Sequence, residues 1–131
     1  MRKKQVEDYI PKALVALESC EIMSKGLIPK EFKGYIASFG AAIITNGLLP
    51  AIAFYQDQGE AKKKRNSLMK AILYIIDEDG HNHQSLMVYV NDRQQDRAEI
   101  KDKIMAAAVA LKLAMRTFEF TEKEADDNAS A

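Results

Sequence analysis

Apolar residues recur every three to four positions along most of this 131-residue chain, the spacing that puts them on one face of an α-helix. Val6, Ile10, Ala13, Leu14, Leu17 and Cys20 form such a stripe and predict a helix over residues 3–25, with Lys25-Gly26 as its stop. Pro11 interrupts the stripe. In a helix interior proline costs about 3 kcal/mol, whereas in a first turn it is tolerated. Either Asp8 caps a helix that begins there, or a longer helix bends at Pro11; the spacing fits both. The next stretch differs in kind. From Pro29 to about Thr45 the charges are confined to Lys30, Glu31 and Lys33, while Tyr35, Ile36, Phe39, Ile43 and Ile44 cover more than one face. A helix apolar nearly all round belongs in an interior, so this one is expected to be the buried centre. Asn46-Gly47 ends it, glycine supplying a left-handed residue. Residues 48–55 resume as a short helix with Pro50 in its first turn.

Gln56-Asp57-Gln58-Gly59 is a polar break. A helix is predicted from Glu60 to Ile76, with a basic opening and an apolar face of Ala61, Leu68, Met69, Ile72, Leu73 and Ile76. Asp77 to Gln84 is a loop by composition. Residues 85–91 are short and β-branched; helix is the preferred reading, because a lone strand would have no partner. The last helix runs from about Arg93 to Phe120, with Ile100, Ile104, Ala107, Ala108, Leu111, Met115 and Phe118 as its core face. Together these elements predict an all-α protein, a compact bundle of about five to six helices around a buried central helix. It forms one domain over residues 1–120, followed by an acidic, disordered tail over 121–131.

Composition narrows the setting. A chain of this length buries about two-thirds of its unfolded surface as a single domain. No run reaches the roughly 18 apolar residues of a membrane span. The basic start, Met1-Arg2-Lys3-Lys4, meets Glu7, Asp8 and Pro11 rather than the apolar core of a signal peptide. A cytoplasmic protein without membrane contact is therefore expected. The single Cys20 cannot form an internal disulfide, and its neighbours Glu18 and Glu21 disfavour a thiolate, so a partly buried structural thiol is expected. Formal net charge is zero, yet Glu122, Glu124, Asp126 and Asp127 against Lys123 give the tail −3, which leaves +3 elsewhere. That is mildly basic, short of a dedicated DNA-binding protein.

Candidate chemistry is sparse. Asp77, Glu78, Asp79, His81 and His83 could hold a divalent metal and so support a metal-dependent hydrolase. Their spacing matches no strong ligand template, so a solvated turn is the expected role, with no metal or other cofactor. No nucleotide-binding glycine loop, nucleophile elbow or catalytic triad pattern is present, and no catalytic residue is expected. Lys62, Lys63, Lys64 and Arg65, with Lys30, Lys33, Arg93, Arg97 and Lys101, are candidates to meet RNA phosphates. Nothing suggests sequence-specific readout, so contact to the nucleic-acid backbone is the form such binding would take.

One stretch carries more. Lys30-Glu31-Phe32-Lys33-Gly34-Tyr35, then Ala41 to Asn46-Gly47-Leu48 and on through Ala53-Phe54-Tyr55, resembles the small all-helical fifth subunit of type III-B CRISPR effector complexes, the Cmr or RAMP-module complexes. The final helix, basic and then aliphatic, is similar as well. Gly40 stands where that family often has proline, and Pro50 where it often has a polar residue. The resemblance implies a non-catalytic structural subunit of an antiviral ribonucleoprotein. Such a subunit stacks in several copies along a filament, contacts the repeated backbone subunit, and helps hold CRISPR RNA and target RNA. A helical adaptor that binds protein only is the competing expectation.

Overall fold

The computed structural model describes residues 3–56, 63–77 and 85–121. The expected tail beyond Thr121, Lys62, and the predicted loop from Glu78 to Gln84 lie outside them. Six α-helices are present among the described residues: α1 (Lys3–Ser19), α2 (Glu31–Asn46), α3 (Leu48–Tyr55), α4 (Lys63–Ile76), α5 (Leu86–Asn91) and α6 (Arg97–Met115), with a single 3₁₀ turn, Gln94–Asp96, before α6. Two short strands, β1 (Leu27–Ile28) and β2 (Glu119–Phe120), pair in parallel. The all-α class is thus observed. Among the described residues no helix is long and apolar enough to cross a membrane.

The helix that lies at the centre is not the one its apolar composition suggested. α2 buries only Phe32, Ile36, Phe39 and Ile43, a stripe one residue wide, while Ala37, Ala41 and Thr45 are exposed and Ile44 is 73% exposed. Gly34, Ala37 and Ala41 offer little apolar area to remove from water, so burying their side of the helix gains little. The centre is α6, which packs on α1, α2 and α4 and buries Ile100, Ile104, Leu111, Met115 and five alanines. Its alanines admit close neighbours, and α1, with Ala13 and Ala16 fully buried, makes the most extensive helix pair with it. α4 buries Leu68, Met69, Ala71, Ile72, Leu73, Ile75 and Ile76 and touches every other helix.

Helix ends follow backbone chemistry that residue spacing does not encode. α1 starts at Lys3 and passes through Pro11, which is exposed, as is Glu7, whose carbonyl loses its helical partner at the proline. It stops at Ser19, not at Lys25-Gly26. Ile22 N–H donates to Leu17 O at 2.9 Å and Glu21 N–H to Glu18 O at 3.2 Å, the two crossed bonds of a Schellman stop. Leu17 and Ile22 are both buried, supplying the apolar contact that accompanies it. Glu21 takes the left-handed position with φ +63°. Because that position is strained for a residue with a Cβ, Glu21→Gly is expected to stabilise the chain by about 0.5–1 kcal/mol after allowing for glycine's greater freedom when unfolded. A raised midpoint in urea unfolding checks it; an unchanged or lower midpoint refutes it.

Gly47 separates α2 from α3 as expected, with φ +99° and ψ 162°, a region open in practice only to glycine. α3 then folds back on α2. The Tyr55 ring lies 5.0 Å from that of Phe39, and Tyr55 Oη donates to Tyr35 O at 2.9 Å. Residues 86–91 are helical because Ser85 caps them, its Oγ accepting Val88 N–H at 3.1 Å. The last helix is shorter than the sequence suggested. It ends at Met115, and a turn carries the chain into β2, so residues 116–120 serve as connection and strand.

Candidate nucleic-acid interface

The strand pair brings the last described residues beside the segment between α1 and α2. Glu119 N–H donates to Gly26 O at 3.3 Å and Thr121 N–H to Ile28 O at 2.9 Å, which fixes β2 beside the segment that leads into α2. Phe120 lies under Lys33, whose Nζ is 5.8 Å from the ring centre. Lys30 is exposed just before α2. Lys25 and Arg116, both exposed, flank the two strands. These two cations are isolated in the sequence, and only the strand pairing makes them neighbours of Lys30 and Lys33.

α4 begins beside the end of α1. Lys63, its first residue, lines a shallow groove with Cys20, Glu21, Ser67 and Lys70, at the point where α1 stops. Lys63 is exposed, as is Lys70 two helical turns later, whereas Lys64 is half-buried and has a partner of its own. Cys20 is half-buried here. Burial pushes its thiol above the ordinary cysteine range, only partly offset by a hydrogen bond with Ser19 and the charge of Lys70. A thiol held protonated in this way is a poor nucleophile, in keeping with a structural role.

Arg65 does something the charge run did not suggest. Its guanidinium carbon lies 4.8 Å from the ring centre of Phe54, 5.6 Å from that of Tyr35 and 5.9 Å from that of Tyr55. One arginine from α4 is thus held among aromatic rings of α2 and α3 by cation–π attraction. Its Nε is buried without a hydrogen-bond partner among the described residues. Burial also raises Tyr55 above the ordinary phenol range, opposed by a hydrogen bond with Ser38 and by the Arg65 charge. Read along the sequence, Tyr35, Phe54 and Tyr55 have helical spacing and pass for core. Tyr55 is indeed buried, but Tyr35 is half-buried and Phe54 is 53% exposed.

Arg93 and Arg97 lie elsewhere. Arg93 stacks on Tyr89 at 3.8 Å, and its Nη1 donates to Tyr89 O at 3.3 Å. Tyr89 in turn donates through Oη to Ile76 O at the last residue of α4. Arg97 opens α6, which runs about 28 Å before the chain reaches β2 and Lys33. Its Nε too is buried without a hydrogen-bond partner among the described residues. The fold therefore places Lys30 and Lys33 beside the strand pair, Lys63 and Arg65 at the start of α4, and Arg93 and Arg97 at the approach to α6, with exposed Lys101 one helical turn beyond Arg97. Of the acidic and histidine cluster, Glu78, Asp79, His81 and His83 fall outside the described residues. Asp77 is buried at the end of α4 and has a partner. No group of three potential metal ligands occurs among the described residues.

The family model described as CRISPR-associated protein (Cas_Cmr5) matches residues 12–117. That span runs from the second half of α1 to the turn after α6 and contains α2 to α6 entire. No curated protein and no solved structure matches the chain. The helical fold, the segment around Asn46-Gly47 and this match agree, and the chain belongs to the Cas_Cmr5 family of CRISPR-associated proteins, the small subunits of type III-B Cmr complexes.

Proposed function

We propose that this subunit is non-catalytic and helps hold RNA within its Cmr complex, stacking with copies of itself along the repeated backbone subunit. The observation that carries the RNA part is that exposed Lys30 and Lys33 lie beside the strand pair while exposed Lys63 lines the groove where α1 stops. Exposed lysines on a small rigid body suit phosphate contact that is independent of sequence. The protein-contact part rests on the outer face of α2. There Ala37, Ala41 and Ile44 are exposed and uncharged, and a second helix can approach such a face closely. The same face is what an adaptor that binds only protein would need, so the RNA contact decides between the readings. Cleavage, in this reading, belongs to other subunits.

Photocrosslinking of a target RNA in the assembled complex tests the proposal. Crosslinked peptides are expected from residues 24–35 and from the start of α4. Crosslinks confined to other subunits would leave the adaptor as the function. Native mass spectrometry of the same particles is expected to count more than one copy of this chain per complex, and a single copy would remove the stacking.

A further inference from the structure

We propose that the acidic residues 122–127 compete with RNA, within the same chain, for the lysines beside the strand pair. The proposal rests on the RNA-holding function above and adds a control on it. Residues 24–33 and 116–121 meet through the strand pairing. Together they carry four cations, Lys25, Lys30, Lys33 and Arg116, against two carboxylates, Glu31 and Glu119. All four cations are exposed. The run that follows, Glu122-Lys123-Glu124-Ala125-Asp126-Asp127, has four carboxylates against one lysine. The fold fixes where that run starts. Thr121 N–H donates to Ile28 O at 2.9 Å, so the chain enters the acidic run beside a residue only two positions before Lys30. Phe120 has its ring centre 5.8 Å from Lys33 Nζ. Six residues span about 20 Å at most when fully extended, so the backbone of the run is tethered within that distance of Thr121. Charges tethered this closely meet their partners at an effective concentration in the millimolar range. RNA phosphates and these carboxylates seek the same ammonium groups, so RNA must displace the carboxylates to bind there. A carboxylate beside a lysine also stands in for a counterion, and RNA that displaces it releases fewer salt ions.

The experiment compares the full chain with a full-length variant in which Glu122→Gln, Glu124→Gln, Asp126→Asn and Asp127→Asn remove the charge and keep the length. Affinity for a labelled oligouridylate is read by anisotropy across a salt series. The neutralised variant is expected to bind about tenfold tighter at about 0.1 M salt and to converge on the parent near 1 M. Its slope of log affinity against log salt is then steeper by about 1, the equivalent of one to two phosphate contacts on a single strand. Adding Lys30→Ala and Lys33→Ala to the neutralised variant is expected to remove most of the gain, which ties the effect to these lysines. Without RNA, the NMR amide shifts of Lys25, Lys30 and Lys33 are expected to differ between parent and neutralised variant; unchanged shifts at all three overturn the proposal. If the parent binds RNA in a salt-dependent way and the neutralised variant matches it, the competition is wrong and the RNA-holding function stands. A gain that survives the loss of both lysines also overturns the competition, because the charge then acts elsewhere. If neither parent nor neutralised variant has salt-dependent affinity for RNA, both readings are wrong.

Discussion

Phe39→Ala is expected to lower the stability of the chain by about 3–5 kcal/mol, the usual loss for emptying a buried aromatic site. Phe39 is fully buried and its ring packs 5.0 Å from that of Tyr55. It lies within the single stripe, Phe32 to Ile43, by which α2 is attached to the bundle. Small neighbours such as Gly40 and Ala41 have no side-chain length with which to collapse into the space left behind. Domains of this size are stable by about 5–15 kcal/mol, so the loss takes about a fifth or more of the total. Urea unfolding followed by circular dichroism reads it as a lower midpoint with an unchanged slope. Ile44→Ala in the same helix is the control. At 73% exposure it is expected to shift stability by less than about 0.5 kcal/mol. Equal losses in the two variants would mean that α2 is covered on both sides in solution, and the description of α2 as a one-faced helix would have to be abandoned.

That contrast between Phe39 and Ile44 also marks where sequence reasoning reached its limit. Helical periodicity located α1, α4 and α6, since burial at intervals of three and four leaves a strong trace, whereas the helix at 85–91 was preferred only because a lone strand would have no partner. The core faces of α1, α4 and α6 agree with it: Ala13 and Leu17, then Leu68, Met69, Ile72, Leu73 and Ile76, then Ile100, Ile104, Ala107, Ala108, Leu111 and Met115 are buried. Which helix sits at the centre was not legible. An apolar average over α2 counts glycine and alanine as though they had surface to bury, whereas the alanines of α6 matter because larger neighbours close over them. Ends were not legible either. Glu21 in a left-handed conformation carries no residue signal, as glycine would have, and a two-residue strand such as Leu27–Ile28 is too short for any alternation to register. The candidate site shows the same division. Consecutive lysines stand out in a sequence, but Lys25, Lys70 and Arg116 become neighbours of the site only through the fold. The grouping of Arg65 with Tyr35 and Phe54 joins positions from separate helices, which periodicity within one helix cannot register.

Replacing Lys30, Lys33 and Lys63 together with alanine is expected to weaken RNA binding about 100-fold at 0.1 M salt. On a single strand each phosphate contact adds about 0.7 to the slope of log affinity against log salt, so three contacts add about 2, or roughly two decades between 1 M and 0.1 M. All three side chains are exposed. Lys30 and Lys63 are exposed, and Lys33 lies 5.8 Å from the partly buried Phe120 ring, so stability should change little. The expected signature is therefore specific: a flatter salt dependence, converging on the parent near 1 M, with an unchanged urea midpoint. Arg93→Ala with Arg97→Ala provides the comparison from the far end of α6, where Arg93 is stacked on Tyr89. If RNA lies only across the strand-pair end, this pair leaves the salt slope intact. If the arginine pair flattens the slope as much as the lysines do, the strand crosses the length of the bundle and the contact surface is larger than the one described. A triple lysine variant that binds with the parent's slope removes this end of the molecule from the RNA path altogether.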